Sequence, residues 1–143
     1  MKKYKISMML VILLSPIYDS VAANDIPAYA MEMNVKRING LLFRYTRFNA
    51  ESPFPCLRLE LIKPQDNWKV LEKKDICEMN GMSLTSDFSY SGFEAIEFKN
   101  NAIDFKFSYF AKNAPGEYAQ DCSIHVSENK IQDINCASPK LVE

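Results

Sequence analysis

From Met31 onward, apolar and polar side chains alternate. Met31, Met33 and Val35 share one parity, and Glu32, Asn34 and Lys36 the other. Period two marks a half-buried strand, so the methionine face is expected to pack inward. Ile38-Asn39-Gly40 then turns the chain into a second strand, Leu41 to Phe48. A three-residue loop with Gly40 left-handed would set Val35 opposite Phe43 and Met33 opposite Tyr45, apolar against apolar. Ser52-Pro53-Phe54-Pro55 breaks the chain. After Cys56, Leu57, Leu59 and Leu61 alternate against Arg58, Glu60 and Ile62.

Residues 68–79 carry two patterns. The spacing favours a strand, while Asp66 as a cap, the run Lys69 to Lys74 and the stop at Asn80-Gly81 suit one short helix. Met82 to Gly92 is serine-rich and reads as irregular or as an edge strand. Strands follow over 93–98, 103–109, 122–126 and 131–136, with turns between them. About seven to eight strands make the expected fold mainly β, a small antiparallel sandwich or barrel. A helix over 68–79 would make it α+β.

The amino terminus differs. Lys2, Lys3 and Lys5 precede an uncharged apolar run from Ile6, and Val21 and Ala23 stand at the positions where signal peptidase needs small residues. The run is shorter than the ~20 residues needed to span a bilayer. Residues 1–23 are therefore expected to be a cleaved secretory signal, and 24–143 a single domain of 120 residues. Export to a periplasm, or secretion, follows. The leader takes three lysines and one aspartate with it. Fourteen basic and seventeen acidic residues remain, a net charge of −3. Without a concentrated basic face, nucleic acid is not an expected partner. The mature chain has no long apolar run, so no membrane span is expected there either.

All four cysteines, Cys56, Cys77, Cys122 and Cys136, lie in the mature chain. An even count in a small exported domain reads as two disulfides. An imperfect repeat suggests the pairing. Leu42 to Phe48, a proline-containing break and Cys56 in one half match Phe105 to Phe110, a similar break and Cys122 in the other. In each half one cysteine opens a hairpin and the next closes it, which favours Cys56–Cys77 and Cys122–Cys136. No C-x-x-C is present and His125 is the only histidine, so neither a metal nor another cofactor is expected.

No catalytic set assembles. His125 has Ser123 two residues away on the same strand face, but no strand–turn–helix nucleophile motif accompanies them. Ser127 to Lys130 matches S-x-x-K, but falls on a turn. Scattered acids could support glycan hydrolysis, yet sequence does not pair them. Met31, Met33, Met79 and Met82 are explained more simply by packing than as soft copper ligands. What remains is aromatic. Asp87, Phe88, Tyr90 and Phe93 lie in a Ser/Gly-rich stretch, and Trp68 sits beside a turn. Rings among small polar neighbours suit protein recognition, while the alternative is that Phe88 and Phe93 anchor a loop to the core and that Trp68 is itself a core residue. Ser91-Gly92 resembles a serine-glycine pair of small periplasmic lysozyme inhibitors. Ala95 stands where a tyrosine would follow, and the remaining residues do not align with that family.

The leading expectation is a non-enzymatic binding protein, of inhibitor or immunity type, that blocks a hydrolase acting on the cell envelope. Its acidity would suit a basic hydrolase or toxin as partner. A carboxylate-based wall or glycan hydrolase, and an adaptor subunit of an envelope assembly with an unpaired sheet edge, are the alternatives.

Overall fold

A computed structural model describes residues 28–142. The expected signal peptide, residues 1–23, lies outside the described residues. The chain is mainly β, with antiparallel sheets curled into a half-barrel and two disulfides. Its strands are β1 (Ala30–Ile38), β2 (Leu41–Phe48), β3 (Leu57–Lys63), β4 (Lys69–Ile76), β5 (Glu78–Met79), β6 (Met82–Ser83), β7 (Phe88–Lys99), β8 (Ala102–Ala111), β9 (Tyr118–Ser127), β10 (Lys130–Ile131), β11 (Asn135–Cys136) and β12 (Lys140–Leu141). The first sheet runs β1-β2-β3-β4 and the second β10-β9-β8-β7. β11 and β12 also pair with β9, and β5 with β6.

Residues 68–79 form β4 and β5, not a helix. Pairing decides the conflict: Lys69 to Ile76 form a ladder to β3, from Lys63↔Lys69 to Leu57↔Ile76, with Leu71 as the extra residue of a bulge. Of the stretch from Met82 to Gly92, expected to be irregular or an edge strand, the part from Phe88 belongs to β7, the edge strand of the second sheet.

The first hairpin corrects the expected register. Asn39 (φ 48°) and Gly40 (φ 82°) form a two-residue turn with both central residues left-handed, the geometry that matches strand twist. Ile38 therefore pairs with Leu41, Val35 with Arg44 and Met33 with Thr46. Slipping by one residue exchanges the faces of a strand. Met33 and Val35 thus point outward and are exposed, while Ile38 enters the core. Met31, the extra residue of a β-bulge between Ala30 and Glu32, is exposed too. Asn80-Gly81 and Glu128-Asn129 make left-handed pairs of the same kind.

The inner faces of the two sheets form the core. Phe43, Tyr45, Leu57, Leu59 and Leu61 of the first sheet meet Phe93, Ile103, Phe105, Phe107 and Ile124 of the second. Phe98 of β7 packs on Phe43 and Tyr45, with ring centroids 5.8 and 5.5 Å away. Burying one such side chain contributes about 1.5–3 kcal/mol. Among the described residues, no buried side-chain N or O lacks a hydrogen-bond partner.

The disulfides join Cys56 to Cys77 and Cys122 to Cys136, the pairing the repeat favoured. Cys122 and Cys136 are direct partners in the β9–β11 ladder. Cys56 and Cys77 flank the Leu57↔Ile76 pair that ends the β3–β4 hairpin. In each half a long strand leads into a cysteine-closed hairpin. The second copy differs because its return strand is broken into β10, β11 and β12.

Candidate functional site

The β3–β4 connection builds the most distinctive surface feature. Lys63 leads into a 3₁₀ turn at Pro64–Asp66. Asn67 (φ 50°) and Trp68 (φ 58°) then both adopt the left-handed region. Asparagine tolerates that conformation, whereas for a bulky tryptophan it costs about 1–2 kcal/mol. The turn is held by the Trp68 N–H, which donates to the Pro64 carbonyl at 3.5 Å. Trp68 is left 65% exposed, although it is the largest apolar side chain in the protein.

The indole borders a groove of about 340 Å³ lined by Met33, Val35, Leu42, Ile62 and Arg44. Strand register explains this company. Val35↔Arg44, Leu42↔Ile62 and Ile62↔Val70 place these side chains on one outward face of the first sheet. Arg44 crosses the floor, and its Nε donates to Glu60 Oε2 at 2.8 Å. Along the same face Arg58 donates from Nε to Asp75 Oδ1 at 2.7 Å and lies over the rings of Phe48 and Phe54. The hydrogen bond to Asp75 raises the Arg58 pKa further above its ordinary value, against the effect of burial. By register, Arg37, Arg44, Arg58 and Lys73 share this face with Glu60 and Asp75. It carries an excess of two positive charges in a protein that is acidic overall.

The second sheet presents the opposite character. Register sets four carboxylates, Glu94, Glu97, Asp104 and Asp121, and four lysines, Lys99, Lys106, Lys130 and Lys140, on its outer face, which is polar without an excess of either charge. Ala95 (φ 48°), in the β-bulge between Glu94 and Glu97, helps to hollow that face. Asp104, Asp121, Lys106, Ser123 and Asn135 line a polar hollow of about 570 Å³. Ser123 Oγ and His125 Nε2 lie 3.5 Å apart at the exposed surface beside it.

The aromatic residues singled out from the sequence separate. Phe88 and Phe93 are buried. Phe88 packs edge-on against Phe107 and Tyr109, and Phe93 against Phe105. Neither is available to a partner. Asp87 closes its own loop, since its carboxylate accepts from the Ser83 N–H at 2.8 Å and from Ser86 Oγ at 3.0 Å. These bonds, the Ser83 one first, hold its carboxyl below the usual range. Tyr90 and Trp68 stay exposed, but on different sheets. Tyr90 stands edge-on to Phe110, and its hydroxyl covers Gly92, where a Cβ would meet it at 3.1 Å.

Met33 and Val35, which border the half-buried Leu42 and the buried Ile62, were missed as surface residues. The signal that identifies them is Asn39-Gly40 read as a two-residue turn, which alone turns the methionine face outward. Among the described residues, no helix is long and apolar enough to cross a membrane, and no cluster of three or more His, Cys, Asp or Glu side chains is placed to hold a metal ion. Comparison with protein-family models, with curated proteins and with solved structures finds no match for the chain.

Proposed function

We propose that this is an exported protein-binding domain of inhibitor or immunity type, which acts by covering a hydrolase of the cell envelope. One observation carries the reading: an exposed tryptophan is held in a costly backbone conformation beside an apolar groove. Strain of that kind is retained where the surrounding structure has a use for the side chain. Tryptophan is also the residue most enriched among binding hot spots. Two disulfides fit an oxidising compartment and make a rigid platform, which lowers the entropy lost on association. The periplasm is the compartment that the lysine-rich leader suggests.

The partner's charge follows from where the charges lie. The outer face of the second sheet balances four carboxylates with four lysines, whereas the Trp68 face carries two excess positive charges. Whatever seats against Trp68 is apolar or acidic. Photo-cross-linking tests the reading, with a benzophenone residue at Val70, paired with Ile62 beside the groove, or at Ser123 in the polar hollow. A discrete protein adduct from position 70 that inhibits the captured hydrolase supports it. Adducts from position 123 alone, or none from either, sink it.

One observation favours a second reading. Asp104 and Asp121 both line the polar hollow, where a carboxylate pair could serve glycan hydrolysis. Assay of the mature protein on peptidoglycan decides this. The reading requires product release that Asp104→Asn and Asp121→Asn each abolish.

A further inference from the structure

The open edge of β1 and the Trp68 groove are parts of one surface. β1 is nine residues long and pairs with β2 alone among the described strands. Its free backbone groups follow from the tight turn. Ile38↔Leu41 closes the hairpin as a hydrogen-bonded pair, and bonded and non-bonded pairs then alternate along the ladder. Lys36 and Asn34 therefore exchange bonds with β2, while Met33, Val35 and Arg37 direct N–H and C=O away from it. The Val35 N–H does point outward, where it finds only the Asn34 side chain, donating to Oδ1 at 2.8 Å. That is a local plug which a better acceptor can displace.

The residues with outward backbone groups are also those whose side chains face the groove. Met33 and Val35 line it, and Arg37 lies opposite Leu42 on the same face. A strand laid along β1 would thus continue both the ladder and the apolar floor. Long, exposed, apolar edges are what proteins normally blunt, and strand addition is the mode of recognition such an edge supports.

We infer that β1 accepts an extended segment of another protein as an added strand. The segment's groove-facing side chains are apolar opposite Met33 and Val35 and acidic opposite Arg37. Charge selects this occupant. The face holds two excess positive charges, so an acid next to Arg37 is attracted. A second copy joined through the same edge would instead set two faces of like charge side by side. The inference rests on the protein-binding reading and specifies its mode.

The probe is a blocked synthetic peptide, Val-Thr-Val-Thr-Glu, which running parallel to β1 sets its valines opposite Met33 and Val35 and its Glu opposite Arg37, with a counterpart carrying Lys in place of Glu. Trp68 is the only tryptophan, so its fluorescence reports on the groove alone. The Glu peptide is expected to shift that emission to the blue and to slow amide exchange at Met33, Val35 and Arg37. The Lys peptide should bind about tenfold more weakly, a gap that narrows with salt. Val35→Pro removes the outward N–H, which an edge strand tolerates, and should abolish binding. Val35→Thr keeps the N–H and should retain it.

Equal binding by Val35→Pro would overturn strand addition while leaving the groove as a docking surface. Equal affinity for the two peptides would overturn the acidic occupant. Self-association blocked by Val35→Pro would replace the proposal with a dimer. If neither peptide moves the Trp68 emission the proposal fails, whereas cross-linking at position 70 still decides independently whether the groove meets a protein.

Discussion

The two outer faces of this molecule are built from the same kind of ladder and end with opposite properties. The first sheet shows an apolar groove, exposed Trp68, ion pairs and an edge that is unpaired among the described residues. The second shows a polar hollow bordered by carboxylates. The difference lies in local backbone events. A two-residue turn rotates Met33 and Val35 outward on one side. On the other, a bulge at Ala95 preserves the alternation that keeps Phe93 and Phe98 inside. The chain's net charge of −1 describes neither face. A partner is chosen by the surface it touches, so bulk acidity is a poor guide to what the Trp68 side will meet.

The hardest way to break the comparison is to remove the staple from one half at a time. The bonds separate their cysteines by 21 and 14 residues, which by loop closure gives about 3 kcal/mol each. Cys56→Ala with Cys77→Ala, and Cys122→Ala with Cys136→Ala, should therefore lower unfolding stability to a similar extent in denaturant titration. A pair whose loss leaves stability unchanged would show that its half does not need the cross-link.

Alkaline pH separates the halves next. Each has a buried core tyrosine with a raised pKa. Burial is the first cause for both Tyr45 and Tyr109, but Tyr45 also donates its hydroxyl to Glu32 and is pushed up to about 12. A pKa raised by folding favours the protonated phenol in the native state. That stability is complete below pH 10 and is lost as pH rises from about 10 through about 12. Thermal unfolding followed across that window should show the decline, and Tyr45→Phe should flatten it. Glu32→Gln should lower the titration of Tyr45 and leave Tyr109 where it is. An unchanged slope in Tyr45→Phe would assign the alkaline loss elsewhere.

Much of this contrast was legible before any coordinates. The β class, the cysteine pairing and most strands follow from alternation and turn residues, because period-two burial is a strong constraint over seven or more residues. What failed was parity. Met31, Met33 and Val35 form so regular an apolar stripe that hydrophobicity alone sends them inward. Asn39-Gly40, one residue shorter as a loop than assumed, sends Met33 and Val35 outward. Phe88 and Phe93 proved to be core residues although their serine and glycine neighbours suggest a loop: Ser89 is exposed in a bulge, and Ser91 is itself buried opposite Tyr109 in a long strand. Trp68 was visible as a ring beside a turn. Its groove was not, since Leu42 and Ile62 meet only through the register of three strands.

Ion pairs offer a finer test of whether the faces differ in kind. Arg44–Glu60 is held at 2.8 Å with side-chain exposures of 30% and 10%, against 58% and 63% for Lys99–Glu97. Partial burial strengthens the first, while solvent screens the second. A double-mutant cycle to alanine should give about 1 kcal/mol of coupling for Arg44–Glu60 and no resolvable coupling for Lys99–Glu97. Equal couplings would mean that the groove floor is as wet as the opposite face.

The smallest expected change in stability is also the most informative. If Trp68 is kept for binding, replacing it should not harm the fold. Trp68→Asn suits the left-handed backbone better, as the preceding Asn67 already does, and gives up a side chain that is 65% exposed. The strain relieved should outweigh the packing lost, so the variant is expected to be more stable by about 0.5 kcal/mol. Calorimetry, which needs no indole, should at the same time find its affinity for the Val-Thr-Val-Thr-Glu peptide reduced by about tenfold or more. A gain in stability with a loss of binding is the trade expected of a functional residue. A loss in stability with binding intact would mean that Trp68 supports the β3–β4 turn, and the two faces would then differ in shape and charge but not in purpose.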